Sequence, residues 1–350
     1  MTTTQNLSAD ASPILIVPYM WIGDFVRCHS VVKLLKARWP DRPIDVLATT
    51  LCRPLADYMP GLRQAIAGDL PRSRVALGAQ RALAARLRAN RYGLALIMPR
   101  TWKAALAPCL AGIPHRIGFV GEVRFGLLNE WRWGERRLPR MVDRCAALAL
   151  PEGAPLPDQW PRPELVVPQA EVAAWHERLS LEAGRPAVAL CPGAVGPSKR
   201  WPAAAYGEVA RALTARGLAV WVLGSPHEAR IAGEIAAVGG PHVRDLTSPD
   251  LRNAILALAA AVAAVSNDSG LLHVAAAIGT PAIGIFGPTS PWHWAPLNPL
   301  AAVIETRTEL PCRPCHKPTC RLHHHRCMLD IPAAQVLEAV ESAVAGAATP

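Results

Sequence analysis

The apolar run Val262-Ala263-Ala264-Val265 breaks abruptly into Ser266-Asn267-Asp268-Ser269-Gly270-Leu271-Leu272-His273, and few folds accommodate such a change. Apolar residues ahead of a polar, glycine-containing turn predict a buried strand that ends at Asn267. The apolar spacing that resumes at Leu271 predicts a helix over 270–278. Asp268 and Ser269 are helix-capping residue types, and Gly270 lets a ligand approach the backbone closely. A strand feeding straight into a helix leaves N–H groups at its carboxyl end, where α/β folds take phosphates. A second such turn, Pro192-Gly193-Ala194-Val195-Gly196-Pro197-Ser198-Lys199-Arg200-Trp201-Pro202, follows the strand-like Ala187-Val188-Ala189-Leu190. Two of these in one half of a chain point to a nucleotide diphosphate.

The same alternation governs the whole sequence and predicts parallel sheets covered by helices. In the first half, strands are expected at 14–17, 44–48 and 94–98, and helices over 24–37, 79–88 and 103–111. Residues 151–168 turn rich in proline and polar groups, as an interdomain linker does. In the second half, strands are expected at 187–190, 219–223, 262–266 and 282–286. Helices are expected over 203–216, 228–238, 251–260 and 270–278. A last helix follows Pro332, with Val336, Leu337, Val340 and Val344 on one face. The 350 residues suffice for two domains with separate cores. The expected fold is therefore α/β: two Rossmann-like, doubly wound parallel-sheet domains, 1–165 and 166–350, facing a cleft.

No apolar run is long enough to span a bilayer. Met1 to Ser12 lacks the basic and apolar regions of a signal peptide, so it reads as a disordered tail and the protein as cytoplasmic. The formal charge is +10, with basic clusters at Arg132, Arg136, Arg137, Arg140 and Arg144, and at Arg116 with Arg124. A solvated face accounts for such clusters, and so does an acidic partner. No nucleic-acid motif is present, which leaves an anionic, lipid-linked substrate and an anionic membrane surface as the acidic partners to expect. Cys28, Cys52, Cys109, Cys145 and Cys191 stand singly and read as reduced core residues. The group Cys312-x2-Cys315-x4-Cys320-x6-Cys327, with His316 and His323 to His325 nearby, has the ligand types of a structural zinc site. Reduced loop cysteines are the alternative.

The first strand ends in Pro18-Tyr19-Met20-Trp21-Ile22-Gly23-Asp24, which puts Asp24 at a strand-to-helix turn, either as a helix N-cap or as a functional carboxylate. The Gly-x-Gly-x-x-Gly fingerprint of a dinucleotide-binding dehydrogenase is missing here.

Together, the Gly23-Asp24 turn, the Pro-Gly-Ala…Lys-Arg-Trp-Pro segment, the Gly224-Ser225 turn with Glu228, and Asn-Asp-Ser-Gly-Leu-x-His followed by Phe286-Gly287-Pro288-Thr289 resemble the lipopolysaccharide heptosyltransferases of glycosyltransferase family nine. Further likeness lies in Leu51-Cys52-Arg53-Pro54-Leu55, in Ala111-Gly112-Ile113-Pro114-His115-Arg116-Ile117-Gly118, in Gly126-Leu127-Leu128-Asn129 and in Met141-Val142-Asp143-Arg144. The resemblance runs from about Ile14 to the final helix and is nearest to the group that adds the second heptose. It implies a GT-B fold with the acceptor on the N-terminal domain and the sugar nucleotide on the C-terminal one. It further implies ADP-L-glycero-β-D-manno-heptose as donor, heptosyl-Kdo-lipid A as acceptor, inversion at the anomeric carbon, no required metal, and work at the cytoplasmic face of the inner membrane.

Carried over residue by residue, the resemblance makes Asp24 the catalytic base and Lys199 the diphosphate-contacting lysine. Gly193, Ser198, Ser269 and Gly270 then line the diphosphate, Asp268 and His273 lie near the donor sugar, and Glu228 faces the ribose. Single-displacement inversion needs one base for the acceptor hydroxyl, and the departing ADP needs charge stabilisation. Arg53, Lys103, Arg116, Arg124 and Arg144 are the candidates for binding acceptor phosphates and carboxylates. A surface lysine at 199 and an internally satisfied histidine at 273 are the plainer readings. Two other functions stay open: a relative with another donor or acceptor (including the first-heptose enzymes), and a nucleotide-sugar-binding module without catalysis. Asp24 favours an enzyme, since a binding module needs no base there.

Overall fold

The computed structural model describes residues 11–71, 75–182 and 184–347, so the tail expected at the N-terminus lies almost wholly outside them. The chain divides into two compact units, Met1–Pro163 and Glu164–Pro350. The first unit holds a parallel sheet of β1 (Ile14–Val17), β2 (Ile44–Ala48), β3 (Gln64–Ala67), β4 (Leu94–Ile97), β5 (His115–Phe119) and β6 (Glu130–Arg132). Their spatial order is β3-β2-β1-β4-β5-β6. The central strands are buried along their whole length, because helices cover a parallel sheet on both faces. That is why their sequences, Asp45 apart, are apolar and easily read. The edge strands β3 and β6 are partly exposed and carry polar residues, so they give no such signal.

The helix expected over 24–37 is two helices, α1 (Ile22–Arg27) and α2 (His29–Arg38), meeting at Cys28. Further on come α3 (Arg53–Asp57), α4 (Leu77–Ala89), α5 (Trp102–Leu110) and α6 (Met141–Ala147). From Leu148 to Pro168 the chain forms neither helix nor strand, in keeping with its prolines.

The second unit repeats the plan. Its strands are β7 (Ala187–Cys191), β8 (Ala219–Val222), β9 (Val243–Asp245), β10 (Ala263–Asn267), β11 (Ala282–Ile285) and β12 (Ala301–Ile304). They lie in the order β12-β11-β10-β7-β8-β9, all parallel. The covering helices include α7 (Gln169–Arg178), α8 (Ala203–Ala215), α9 (Ala229–Gly239), α10 (Leu251–Ala260) and α11 (Gly270–Ile278). The final helix, Ala333–Ala347, turns Val336 and Val340 into the core and rests Leu337 and Val344 against it. In both sheets the strand order reverses direction once, between β1 and β4 and between β7 and β10. Ligands of open α/β sheets bind outside the carboxyl ends of the strands at such points. Among the described residues no helix is long and apolar enough to cross a membrane.

One polar cluster sits inside the first unit. Asp45 on β2 is fully buried, and its carboxylate accepts from Arg63 Nε at 2.9 Å and Nη2 at 2.6 Å, Gln64 Nε2 at 2.9 Å and Tyr92 Oη at 2.5 Å. Burial, and then the neighbouring carboxylate, push the Tyr92 hydroxyl well above its ordinary pKa, so it stays a donor. The cluster ties β3 and the approach to β4 to the strand between β1 and the edge. Removing the carboxylate strands a buried hydroxyl and the inner end of a guanidinium. Asp45→Ala is expected to destabilise the protein by about 3 kcal/mol. A urea midpoint unchanged from wild type would refute that role.

Candidate functional site

The second unit's switch point is built from the ends of β7 and β10. Asn267, the last residue of β10, is fully buried. Its Nδ2 donates to Pro192 O at 2.7 Å, and its Oδ1 accepts from Trp201 N at 3.1 Å. One carboxamide thus fixes both ends of the turn that leaves β7. Trp201 is anchored in turn by its indole N–H to Ile331 O at 3.0 Å and by edge contact with Tyr206.

Within that turn, Gly196 adopts φ 96°, a conformation that favours glycine, and starts the short 3-10 turn Pro197–Lys199. This brings the Lys199 ammonium to Asp268 Oδ2 at 2.6 Å. The same carboxylate oxygen accepts from Thr289 Oγ1 at 2.8 Å, and Asp268 is almost wholly buried. Lys199 and Asp268, chosen separately from the sequence, are therefore one hydrogen-bonded unit. Beside them Ser269 is the N-cap residue of α11, which begins at Gly270 as expected, and its hydroxyl lies 3.0 Å from that of Ser266. His273 is buried one turn further on.

The cysteine- and histidine-rich segment packs against this turn. Ser198 donates from its N–H to Pro318 O at 3.1 Å and from its hydroxyl to Lys317 O at 2.5 Å. Its own carbonyl lies 2.7 Å from His325 Nε2. A carbonyl only accepts, so that ring nitrogen carries the proton. The segment also donates from Cys315 N and His316 N to Pro288 O at 3.0 and 2.9 Å. Gly287 is required where the loops meet, because a Cβ there would sit 2.2 Å from Met328 Sδ. Burial, then His293 and Lys199, push His316 below the ordinary histidine pKa, which places a neutral imidazole near the lysine. Asn267 and Thr289 were given no role from the sequence, although both stand inside motifs singled out there, and His325 was considered only beside the cysteine group as a zinc-ligand type.

Glu228 lies in the turn after β8. Its Oε2 accepts from Ser225 N at 2.9 Å and Ser225 Oγ at 2.6 Å, closing a capping box. Its Oε1 lies 3.3 Å from where a Gly193 Cβ would stand, so the carboxylate rests against the turn that follows β7. Gly193, Ser198, Lys199, Glu228, Asp268, Ser269 and Gly270 thus gather around adjoining strand ends.

In the first unit, Asp24 sits in the first turn of the helix that follows β1. Trp21 is the N-cap, so the capping reading of Asp24 does not hold. Asp24 is only 8% exposed and forms an ion pair with the buried Arg27 one turn along. Nearby, burial and then Asp24 push the Cys145 thiol up to about 12, and burial, Cys145, Glu135 and Asp24 raise the Tyr19 hydroxyl. Both groups are neutral at physiological pH.

The five acceptor candidates fall in different settings. Arg53 is exposed at the start of α3, and Lys103 is half-buried on α5. Arg144 donates to Leu138 O at 2.9 Å. Arg116 donates to Leu127 O at 2.8 Å and to Ile113 O. Arg124 is buried, with its guanidinium on Pro99 O at 2.7 Å and on Phe119 O. Burial lowers its pKa, and its N–H groups hold the loop that precedes β6.

The expected zinc ligands are not gathered into a metal site. Among the described residues, no group of three or more His, Cys, Asp or Glu side chains is placed to hold a metal ion. Cys312 Sγ lies 3.9 Å from His324 Nε2, and Cys320 Sγ accepts from His325 N at 3.4 Å. Cys327 belongs to the apolar core, where burial pushes its thiol up to about 11. Cys315, Cys320 and Cys312 lie near enough to raise the Cys327 thiol further, and the segment packs around Ser198 and Pro288.

Comparison with known proteins places this architecture. Residues 80–325 match the model of glycosyltransferase family 9 (heptosyltransferase). Lipopolysaccharide heptosyltransferase 2 of Escherichia coli is 38% identical over 339 residues, covering 93% of this chain and 96% of that protein. Lipooligosaccharide heptosyltransferase 2 of Haemophilus influenzae is 36% identical over 83% of this chain and 88% of its own length. The solved structure of E. coli ADP-heptose LPS heptosyltransferase II matches with a TM-score of 0.84 at 36% identity, covering 95% of this chain and 99% of that one. The two six-stranded parallel sheets are thus the Rossmann-like domains of a GT-B fold, and the chain belongs to glycosyltransferase family 9, the heptosyltransferases.

Proposed function

We propose that this chain transfers L-glycero-D-manno-heptose from ADP-heptose to the heptosyl-Kdo-lipid A inner core of lipopolysaccharide, with inversion at the anomeric carbon. The unit Glu164–Pro350 holds the donor and the unit Met1–Pro163 the acceptor. The observation that carries the chemistry is the Lys199 ammonium, held by Asp268 at the carboxyl ends of β7 and β10. A cation fixed at a switch point, beside a helix N-terminus, suits a diphosphate. The sugar is inferred from the relatives, one of which is described as an ADP-heptose LPS heptosyltransferase.

In the reaction Asp24 accepts the proton of the acceptor hydroxyl as its oxygen attacks the anomeric carbon. The bond to the β-phosphate oxygen breaks, and the negative charge that collects on ADP meets Lys199 and the N–H groups around Gly193, Ser269 and Gly270. Asp268 and Thr289 hold the lysine in place, and His325 holds the Ser198 carbonyl next to it. Glu228 takes the ribose hydroxyls, and His273 lies under the sugar side of the site. Arg53 and Lys103 are the better acceptor contacts, because Arg116, Arg124 and Arg144 spend N–H groups on backbone carbonyls. A lipid-linked acceptor puts the protein at the cytoplasmic face of the inner membrane as a peripheral protein.

ADP release from ADP-heptose in the presence of a heptose-terminated core acceptor is the direct test. Transfer onto bare Kdo-lipid A would instead assign a first-heptose enzyme, and preference for UDP-glucose would overturn the donor. Asp24→Asn is expected to lower kcat by about 10²- to 10⁴-fold with ADP affinity unchanged. An Asp24→Asn enzyme within threefold of wild type, on the order of 0.7 kcal/mol, would remove it as the base. His325→Ala is expected to raise the donor KM about tenfold, the equivalent of one hydrogen bond to the turn, and to change kcat less. His325→Gln, which keeps an N–H donor, is expected to recover most of that loss. Equal KM values for the two variants would deny His325 its positioning role.

A further inference from the structure

The first unit carries an apolar surface that neither its core nor the residues proposed for acceptor binding uses. Val123 is 84% exposed, Phe125 56%, Trp131 40% and Trp133 68%. They lie within a stretch of eleven residues, on the loop after β5, on the edge strand β6 and directly after it. Phe125 and Trp131 meet edge to face with ring centroids 5.1 Å apart. Trp133 stands directly after β6, one residue beyond Arg132 and next to Gly134. Isolated exposed apolar residues are ordinary, but a contiguous aromatic group is a mark of an interaction surface.

The loop that presents this group is held from beneath. The buried Arg124 guanidinium donates to Pro99 O and Phe119 O, and Leu127 N and Leu128 N donate to Arg124 O at 3.2 Å. Trp131 already gives its indole N–H to Leu128 O at 3.1 Å, so the exposed part of that ring is apolar. Directly after Trp133, Gly134 turns the chain at φ 82° and starts the short helix Glu135–Arg137. Glu135 points inward to Arg100 at 2.8 Å, whereas Arg136 and Arg137 are exposed, with no acidic partner among the described residues. Aromatic rings flanked by outward guanidinium groups match the interface of an anionic bilayer, which takes rings at the level of its headgroups and attracts cations from the aqueous side. The net charge of +10 has the right sign for that approach.

We infer that Val123, Phe125, Trp131 and Trp133, with Arg136 and Arg137, form the surface by which this protein docks on a membrane rich in anionic phospholipid. The inference rests on the proposed lipid-linked acceptor and names the face that meets the lipid. No helix inserts. The rings enter the headgroup layer and the two arginines lie against phosphates. This is the weak, reversible contact of a peripheral enzyme, strengthened by charge and weakened by salt.

Flotation of the full-length protein with vesicles tests it, using phosphatidylcholine alone and phosphatidylcholine mixed with phosphatidylglycerol. The wild type is expected to float with the mixed vesicles, to bind the neutral ones far less, and to be released by high salt. Phe125→Ser with Trp133→Ser, and separately Arg136→Glu with Arg137→Glu, are each expected to lower partitioning by about tenfold. All forms should transfer heptose at the wild-type rate to a deacylated, water-soluble acceptor. Wild-type binding in both variant pairs would overturn the docking surface. So would a dimer, seen by sedimentation, that the aromatic pair of substitutions dissociates while vesicle binding persists, because the patch would then be a contact between copies. Absence of transfer to the soluble acceptor by the wild type would instead sink the functional reading, whatever the vesicles show.

Discussion

The switch point of the second unit depends on one buried carboxamide. Asn267 donates to Pro192 O and accepts from Trp201 N, so the two strand ends and the lysine-bearing turn between them share a single fastener. Both Asn267 and its partners lie out of water, where an unmet polar group costs about 1–3 kcal/mol. An aspartate there would turn a charged oxygen towards the Pro192 carbonyl. A glutamine would carry the amide one carbon too far. With the turn pinned at Pro192 and Trp201, Gly196 and the 3-10 turn have little choice about where Lys199 points.

Where it points is at Asp268, and the pairing holds a cation in a half-buried site. A lone ammonium would be poorly solvated there, whereas a carboxylate at 2.6 Å, steadied by Thr289, partners it and fixes its position. A lysine oriented in advance loses less ordering free energy on binding, which suits the diphosphate contact proposed for it. The histidine-rich segment adds to this economy. It takes both hydrogen-bonding groups of the Ser198 backbone and its hydroxyl, and it closes over Pro288 beside Thr289. Its cysteines and histidines drew attention as metal ligands, but their placement makes them the wall behind the lysine.

What was legible in the sequence follows from burial. Strands covered on both faces, such as Ile14–Val17 and the first three residues of Ala263–Asn267, are apolar, and their positions could be read nearly to the residue. The edge strands Gln64–Ala67 and Glu130–Arg132 are short and partly wet, and their composition is that of a loop. Local chemistry announced Asp24, Lys199 and Asp268 because each stands in a turn after an apolar strand. The work of Asn267 was hidden, since its carbonyl partner lies 75 residues away and only the fold brings it near. Arg124 misled for the opposite reason. An arginine in a basic stretch looks like an anion contact, yet burial among backbone carbonyls gives it a structural task.

The two units handle charge differently, and the difference matches the tasks proposed for them. Around Lys199 the hydrogen bonds are arranged to hold a cation against departing negative charge. Around Asp24 the neighbours are a thiol and a phenol kept neutral by burial, with Arg27 paired to the carboxylate one helical turn away. A neutral thiol and phenol add no competing anion beside the carboxylate, and the guanidinium fixes its rotamer from the helix side. The ion pair holds the carboxylate aimed, and Glu135, whose field also reaches the thiol and the phenol, is itself paired with Arg100. An aimed carboxylate is what proton removal from a weakly acidic sugar hydroxyl requires of its acceptor.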